Sequence, residues 1–242
     1  MEFVEGWEGQ KEILIILAHP DDPEFFLGAT IARWIKAGHC VRYVLLTKGD
    51  KGAEKETQTQ DEICRVRVEE QRNAADFLGV ASVEFLDYED GYLIPNLALR
   101  REVVRQIRTF KPDILVTCDP TNVFPSEHYI NHPDHRYAGQ VVIDAVFPAA
   151  GNHCFFPELL KEGLQPHEVD EVWMSVTHQP NVILDVSEHW EDKIEALKRH
   201  ASQIGDPTAF EKKMLERLGA EGGVERKYEE QFRRIKFRRP KS

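Results

Sequence analysis

The stretch Ile13-Leu14-Ile15-Ile16-Leu17-Ala18-His19-Pro20-Asp21-Asp22-Pro23-Glu24 opens as an unbroken apolar run and turns polar at His19. A run apolar at every position, rather than at alternate ones, reads as a strand buried on both faces, the habit of a parallel sheet covered by helices. The polar groups that follow crowd the strand's carboxyl end, where ligands collect in open α/β sheets. Helix initiation explains Asp22 and Pro23, since proline fits the first helical position and an aspartate ahead of it can cap. It leaves His19 and Asp21 over, and a histidine and a carboxylate this close on a tight turn can converge on one metal ion.

Working outward, the periodicity predicts a helix over 24–37 ending at Gly38, a strand over 41–46, a helix over 63–78 ending at Gly79, a strand over 83–86, a helix over 96–110 and a strand over 114–117. A helix over 134–147 follows, then an irregular Pro- and Gly-rich stretch to about 169, strands over 172–176 and 182–184, and helices over 188–200 and 208–227. This alternation predicts βαβ units, hence an α/β fold, Rossmann-like, with a mostly parallel sheet flanked by helices and a single domain over 1–242. The strand ends point to His19, Thr47, Asp87 and Asp119 as positions beside a ligand.

A chain of 242 residues with 41% hydrophobic and 30% charged residues has material for one large core. A net charge of −11 repels nucleic acid phosphates and anionic lipid, so neither is expected as a partner. The apolar run over 13–18 is far short of the roughly 20 residues that span a bilayer, and the acidic start, without a basic residue in Met1 to Gln10, is unlike a signal peptide; a cytoplasmic protein is expected. Cys40, Cys64, Cys118 and Cys154 form no C-x-x-C pair and are expected as reduced thiols. The tail 224–242 is +5 against −16 for the rest and is expected to be a solvated terminal element or a subunit contact.

A second polar cluster, His128, His132, Pro133, Asp134 and His135, again carries a proline suited to starting a helix. His132 and His135 are about one turn apart and can face the same place at the sheet's carboxyl end. Two histidines and a carboxylate make a common catalytic zinc set with one position open to water. No G-x-G-x-x-G follows the first strand, and neither a Walker loop nor a G-x-S-x-G elbow occurs, which takes weight from nucleotide-dependent enzymes and serine hydrolases.

Ala18-His19-Pro20-Asp21-Asp22, followed by Gly28-Ala29-Thr30-Ile31-Ala32, resembles the signature of the LmbE-like, PIG-L deacetylase family, and His132-Pro133-Asp134-His135 resembles its second motif. Arg67-x-x-Glu70, Ala74, Leu78-Gly79, Asp87-Tyr88-Glu89-Asp90-Gly91 and His200-Ala201-Ser202-Gln203 are similar to weaker family patterns, and the resemblance covers about residues 12–205. It implies a zinc-dependent hydrolase, one Zn2+ per chain or another divalent metal, removing the N-acetyl group of an N-acetylglucosamine-containing small molecule. Carried over motif by motif, His19, Asp22 and His135 would be metal ligands, Asp21 the general base, His132 the oxyanion stabiliser, and Arg67 and Asp90 contacts to the sugar. The resemblance also implies a homo-oligomer, often a hexamer. Pro23 and Gly28-Ala29 depart from the common pattern without removing a ligand.

Blander readings stand beside these. Arg67 and Glu70 could be a surface ion pair three apart on a helix, Asp90 a turn former before Gly91, and His200 a packed or exposed histidine. The same ligand set would also suit a non-haem iron enzyme, and the fold alone would suit a sugar-binding module without catalysis.

Overall fold

The computed structural model describes residues 5–52, 58–216 and 227–237. Its seven strands are β1 (Glu12–Leu17), β2 (Cys40–Thr47), β3 (Ser82–Tyr88), β4 (Ile114–Cys118), β5 (Glu171–Ser175), β6 (Val182–Asp185) and β7 (Glu229–Lys236), joined in one sheet of order β3-β2-β1-β4-β5-β7-β6. Strands β1 to β5 run parallel, and β7 is antiparallel to both β5 and β6. The helices are α1 (Asp22–Lys36), α2 (Gln60–Leu78), α3 (Leu97–Phe110), α4 (Pro133–Asp144), α5 (Pro157–Lys161), α6 (Trp190–Leu197), α7 (Ala201–Ile204) and α8 (Pro207–Glu216). This is the single-domain α/β architecture that the alternation of runs predicts. No helix among the described residues is long and apolar enough to cross a membrane.

The unbroken apolar run pays off at β1, whose alternate residues feed two cores. Ile13, Ile15 and Leu17 pack with Leu27, Ile31 and Trp34 of α1 on one face, whereas Leu14 and Ile16 pack with Leu99, Val103 and Val142 of α3 and α4 on the other. All five β1 side chains are at most 1% exposed, and full burial of each is worth about 1.5–3 kcal/mol. Because β1 pairs with β2 on one side and β4 on the other, the chain reverses its winding direction between β1 and β4. The crevice at their carboxyl ends is the place such sheets bind ligands. Gly139 lets α4 lie close to that edge, since a Cβ there would stand 2.2 Å from the Cys118 carbonyl oxygen.

Several expectations are corrected. The helix expected over 134–147 is α-helical only to Asp144 and continues as a π-helical segment, Ala145–Ala150, that contains Pro148. The irregular stretch before 169 contains α5, and the helix expected over 188–200 is a short 3-10 turn, then α6, broken before α7. The helix expected over 208–227 is α8 as far as Glu216, and most of the remainder lies outside the described residues. The largest correction is the basic tail, which supplies β7, an interior strand rather than a solvated end.

β7 is bound to the rest by a buried ion pair. Helix α1 breaks at Leu27 (φ −150°, ψ 26°), which frees the amides of the following turn. Glu230 of β7 accepts from them, Thr30 N at 2.8 Å and Ala29 N at 3.4 Å, and takes Lys193 Nζ of α6 at 2.6 Å. Glu230 is 5% exposed and Lys193 4%, so a charge at either position needs its partner.

Candidate metal and catalytic site

His19 lies two residues past the end of β1, and the tight turn into α1 is held by Asp22, whose Oδ2 accepts from His19 N at 2.9 Å and Ala18 N at 3.2 Å. Asp21, between them, adopts a left-handed conformation (φ 85°) that aspartate tolerates better than most residues. On the far side of the crevice His132 caps α4, its Nδ1 accepting from Asp134 N at 3.2 Å, and His135 follows on the first turn. The two clusters that resembled each other in sequence therefore meet.

His19 Nδ1 lies 3.2 Å from His135 Nε2, His135 Nε2 lies 3.0 Å from Asp22 Oδ1, and His19 Nδ1 lies 3.5 Å from Asp22 Oδ2. Donors about 2.0–2.2 Å from a tetrahedral zinc stand roughly 3.3–3.6 Å apart, so the two ring nitrogens and the two oxygens of Asp22 stand near the spacing of neighbouring zinc ligands. Each donor group is also held from behind. His19 Nε2 faces Asp90 Oδ1 at 2.9 Å and Asp134 Oδ2 at 3.2 Å, and His135 Nδ1 faces Asn131 Oδ1 at 3.1 Å. Such partners fix the ring orientation of a ligating histidine and leave the other nitrogen for the metal.

Two other donor groups lie close together, His19 with His132 and His135, and His19 with Asp90 and Asp134. The second uses His19 Nε2, and Asp134 is already committed: its oxygens accept from Gly91 N at 2.6 Å and Leu93 N at 3.2 Å. In the first, His132 has its Nδ1 occupied by a backbone amide and its ring centroid 4.8 Å from that of His19. The set His19, Asp22 and His135 thus fits a divalent metal, with His132 and Asp21 beside it.

Electrostatics agree with a cation at this point. Burial works to lower the His19 pKa, yet hydrogen bonds to Asp134, Asp22 and Asp90 raise it well above the ordinary histidine value. Burial works to raise Asp22, and the charges of His135 and His19 outweigh it and hold the carboxyl far below the usual range. Asp21 goes the other way: burial raises it, Arg67 opposes, Asp22 adds repulsion, and its pKa stands at about 6. His132 is lowered by burial and by the neighbouring His19 and His135 charges. A neutral His132 with Nδ1 as acceptor carries its proton on Nε2, so it offers an N–H donor rather than a full charge.

The remaining sequence-derived residues are also brought to this crevice. Arg67 is 5% exposed and donates to Gly49 O at 3.0 Å, Pro20 O at 2.7 Å and Asp21 Oδ2 at 3.3 Å. Gly49 (φ 66°) is required there, because a Cβ would stand 2.3 Å from the Arg67 guanidinium. The surface ion pair of Arg67 with Glu70 is corrected: Glu70 instead accepts from Ser202 N at 2.8 Å and Ser202 Oγ at 2.6 Å. Asp90 does make a turn with Gly91, and in addition grips His19; burial acts to raise its pKa, and the His19 bond and charge bring it to about 2. His200 is 1% exposed, 3.1 Å from Glu24 Oε2.

Sequence reasoning missed Asn131, Gln71 and Glu24. Gln71 is four residues after Arg67 on α2, a spacing that puts both side chains on one helical face, whereas Asn131 precedes α4 and no periodicity marks it. Of the other strand ends, Asp119 is satisfied by Thr121 and Thr177 and Asp87 pairs with Lys48 at the surface.

A mostly parallel α/β sheet that gathers two histidines and two adjacent aspartates at its carboxyl edge has the donor set of a metal-dependent hydrolase. The chain belongs to the PIG-L family: the family model described as "GlcNAc-PI de-N-acetylase" matches residues 14–146. It is 37% identical over 200 residues to the diacetylchitobiose deacetylase of Thermococcus kodakarensis, spanning 83% of this chain and 73% of that protein. It is 30% identical over 173 residues to a 1D-myo-inositol 2-acetamido-2-deoxy-alpha-D-glucopyranoside deacetylase of Catenulispora acidiphila, spanning 61% and 51% of the two chains. Among solved structures it resembles the N,N'-diacetylchitobiose deacetylase of Pyrococcus horikoshii in complex with its inhibitor MPG, with a TM-score of 0.83, 28% identity, and coverage of 97% of this chain and 89% of that one.

Proposed function

We propose that the protein removes the acetyl group from an N-acetylglucosamine-containing small molecule, with zinc as the metal, His19, Asp22 and His135 as ligands, Asp21 as general base and His132 as oxyanion donor. The observation that carries this is the convergence of His19 Nδ1, His135 Nε2 and Asp22 within 3.0–3.5 Å of one another. A divalent cation held there supplies a Lewis acid that polarises the amide carbonyl and acidifies water. Asp21 takes the proton of the attacking water and returns it to the leaving amine, the two transfers that amide hydrolysis requires. His132 Nε2–H donates to the oxygen on which negative charge develops. Arg67 and Asp90, which the family motifs put at the sugar, touch Asp21 and His19 respectively and so line the same floor.

The relatives that act on diacetylchitobiose and on an inositol-linked acetamido sugar support an N-acetylated amino sugar as substrate. The net charge of −11 supports a small-molecule enzyme without nucleic acid or anionic lipid partners, and the family resemblance supports a homo-oligomer. An iron oxygenase would have no use for Asp21, and a bare binding module would have none for the base and the oxyanion donor together. The test is elemental analysis of the purified protein and of His135→Ala, followed by acetate release from N,N'-diacetylchitobiose. About one zinc per chain, lost in the variant, with acetate released only by the zinc form, is the expected result; iron, or zinc retained by His135→Ala, overturns the assignment.

A further inference from the structure

Behind the site lies a polar chain that packing does not require. Gln71 of α2 and Glu24 of α1 are both 0% exposed, and His200 is 1% exposed. Gln71 Oε1 accepts the backbone N–H of Asp21 at 2.7 Å. Its Nε2 donates to both oxygens of Glu24, at 3.1 and 3.0 Å, and Glu24 Oε2 faces His200 Nε2 at 3.1 Å. A carboxylate only accepts, so Glu24 compels the amide nitrogen of Gln71 toward itself and the amide oxygen toward Asp21. Burying a carboxylate costs several kcal/mol that a leucine of similar volume would not, so this arrangement calls for a reason beyond filling space.

The reason lies in the backbone it grips. Asp21 sits at φ 85° and ψ −27°, a left-handed conformation that costs a non-glycine residue about 1–3 kcal/mol and persists only where the surroundings impose it. Arg67 holds the Asp21 carboxylate from one side, and Gln71 is the group that holds its amide. We propose that Gln71, oriented by Glu24 and His200, is a positioning residue that keeps the Asp21 backbone in its left-handed turn and thereby aims the carboxylate at the reacting water. The inference rests on Asp21 being the base, as in the function proposed above. Without the Gln71 bond the turn relaxes and the carboxylate moves away, and a misplacement of about 1 Å costs on the order of 10²-fold in rate.

Zinc-loaded wild type, Gln71→Leu, Gln71→Glu and the double variant Glu24→Gln/Gln71→Glu are assayed for acetate release from N,N'-diacetylchitobiose, and amide hydrogen exchange at Asp21 is followed in the metal-free proteins. Gln71→Leu is expected to lower kcat about 10–100-fold with KM and zinc content unchanged, and to lose protection at Asp21 while β1 stays protected. Gln71→Glu sets two carboxylates together, and the exchange of the pair restores a donor opposite an acceptor, so the double variant is expected to recover at least about tenfold in kcat over Gln71→Glu. Unchanged kcat in Gln71→Leu, an equal loss in zinc content or in β1 protection, or a double variant no better than Gln71→Glu overturns the inference. A wild type that releases no acetate refutes the proposed function instead, and exchange at the Asp21 amide then decides the role of Gln71 by itself.

Discussion

Asp21 and Asp22 are adjacent carboxylates driven in opposite directions, and their environments suit the two different roles proposed for them. Asp22 accepts two backbone amides and faces two imidazoles, which favours the ionised form that the proposed ligand role requires. Asp21 is held at about 6, close to the working range of a base. Asp21→Ala is expected to cut kcat by about 10²–10⁴-fold with zinc retained, measured by acetate release and metal analysis. Since the carboxylate form is the active one, rate rises with pH through the Asp21 titration. A cation alongside favours the carboxylate, so the acid limb of kcat/KM is expected at or below pH 6 in the zinc enzyme; a limb well above that would exclude Asp21. His132→Ala is expected to cost about 10²–10³-fold in kcat while zinc stays bound, the signature of a lost donor rather than a lost ligand. The histidines and aspartates that meet in the crevice were legible in sequence because two short motifs concentrate them. Asn131, Gln71 and Glu24 were not, because a buried glutamine or asparagine has the same letter whether it faces water or a ligand's far side.

At the scale of elements, β1 and α1 were readable because every position of the run is apolar and proline marks the helix start. β7 was not, because its sequence, Glu-Glu-Gln-Phe-Arg-Arg-Ile-Lys, reads as charged, with only Glu230 and Phe232 turned fully inward. Charge normally signals solvent, and here Lys193 and the open turn of α1 overturn that rule at Glu230. Glu230→Ala leaves the buried Lys193 charge with only the Phe25 carbonyl as acceptor, leaves two amides without an acceptor, and is expected to cost about 3–5 kcal/mol in denaturant unfolding. Lys193→Met leaves Glu230 bonded to Ala29 and Thr30 and is expected to cost less. The reverse order would show that the amides of α1 contribute nothing to holding Glu230.

Over the whole molecule, the site is a product of winding direction: the first strand goes inside the sheet, and β2 and β4 add on its opposite sides. The parallel sheet and the gathering of polar groups at its carboxyl edge followed from the alternation of runs and from the rule for strand ends, whereas the strand order did not. The sheet's last places did not follow, since nothing local tells β7 to enter between β5 and β6. A chain ended before residue 227 leaves β6 without its hydrogen-bonded neighbour and α1 without Glu230. It is expected to lose the cooperative thermal transition followed by circular dichroism; a sharp transition near that of the full chain would contradict the role given to β7.

The position of β7 also bears on biosynthesis. The ribosome delivers β6 well before the strand that pairs with it, and delivers the turn carrying Asp21 and Asp22 far earlier still, so the nascent chain carries its proposed catalytic groups on an unfinished support. Synthesis of β7, rather than synthesis of the motifs, is then the moment at which the sheet beneath them can be completed, and a nascent chain that holds both motifs but not β7 lacks the partner of β6 and the buried carboxylate that α1 grips.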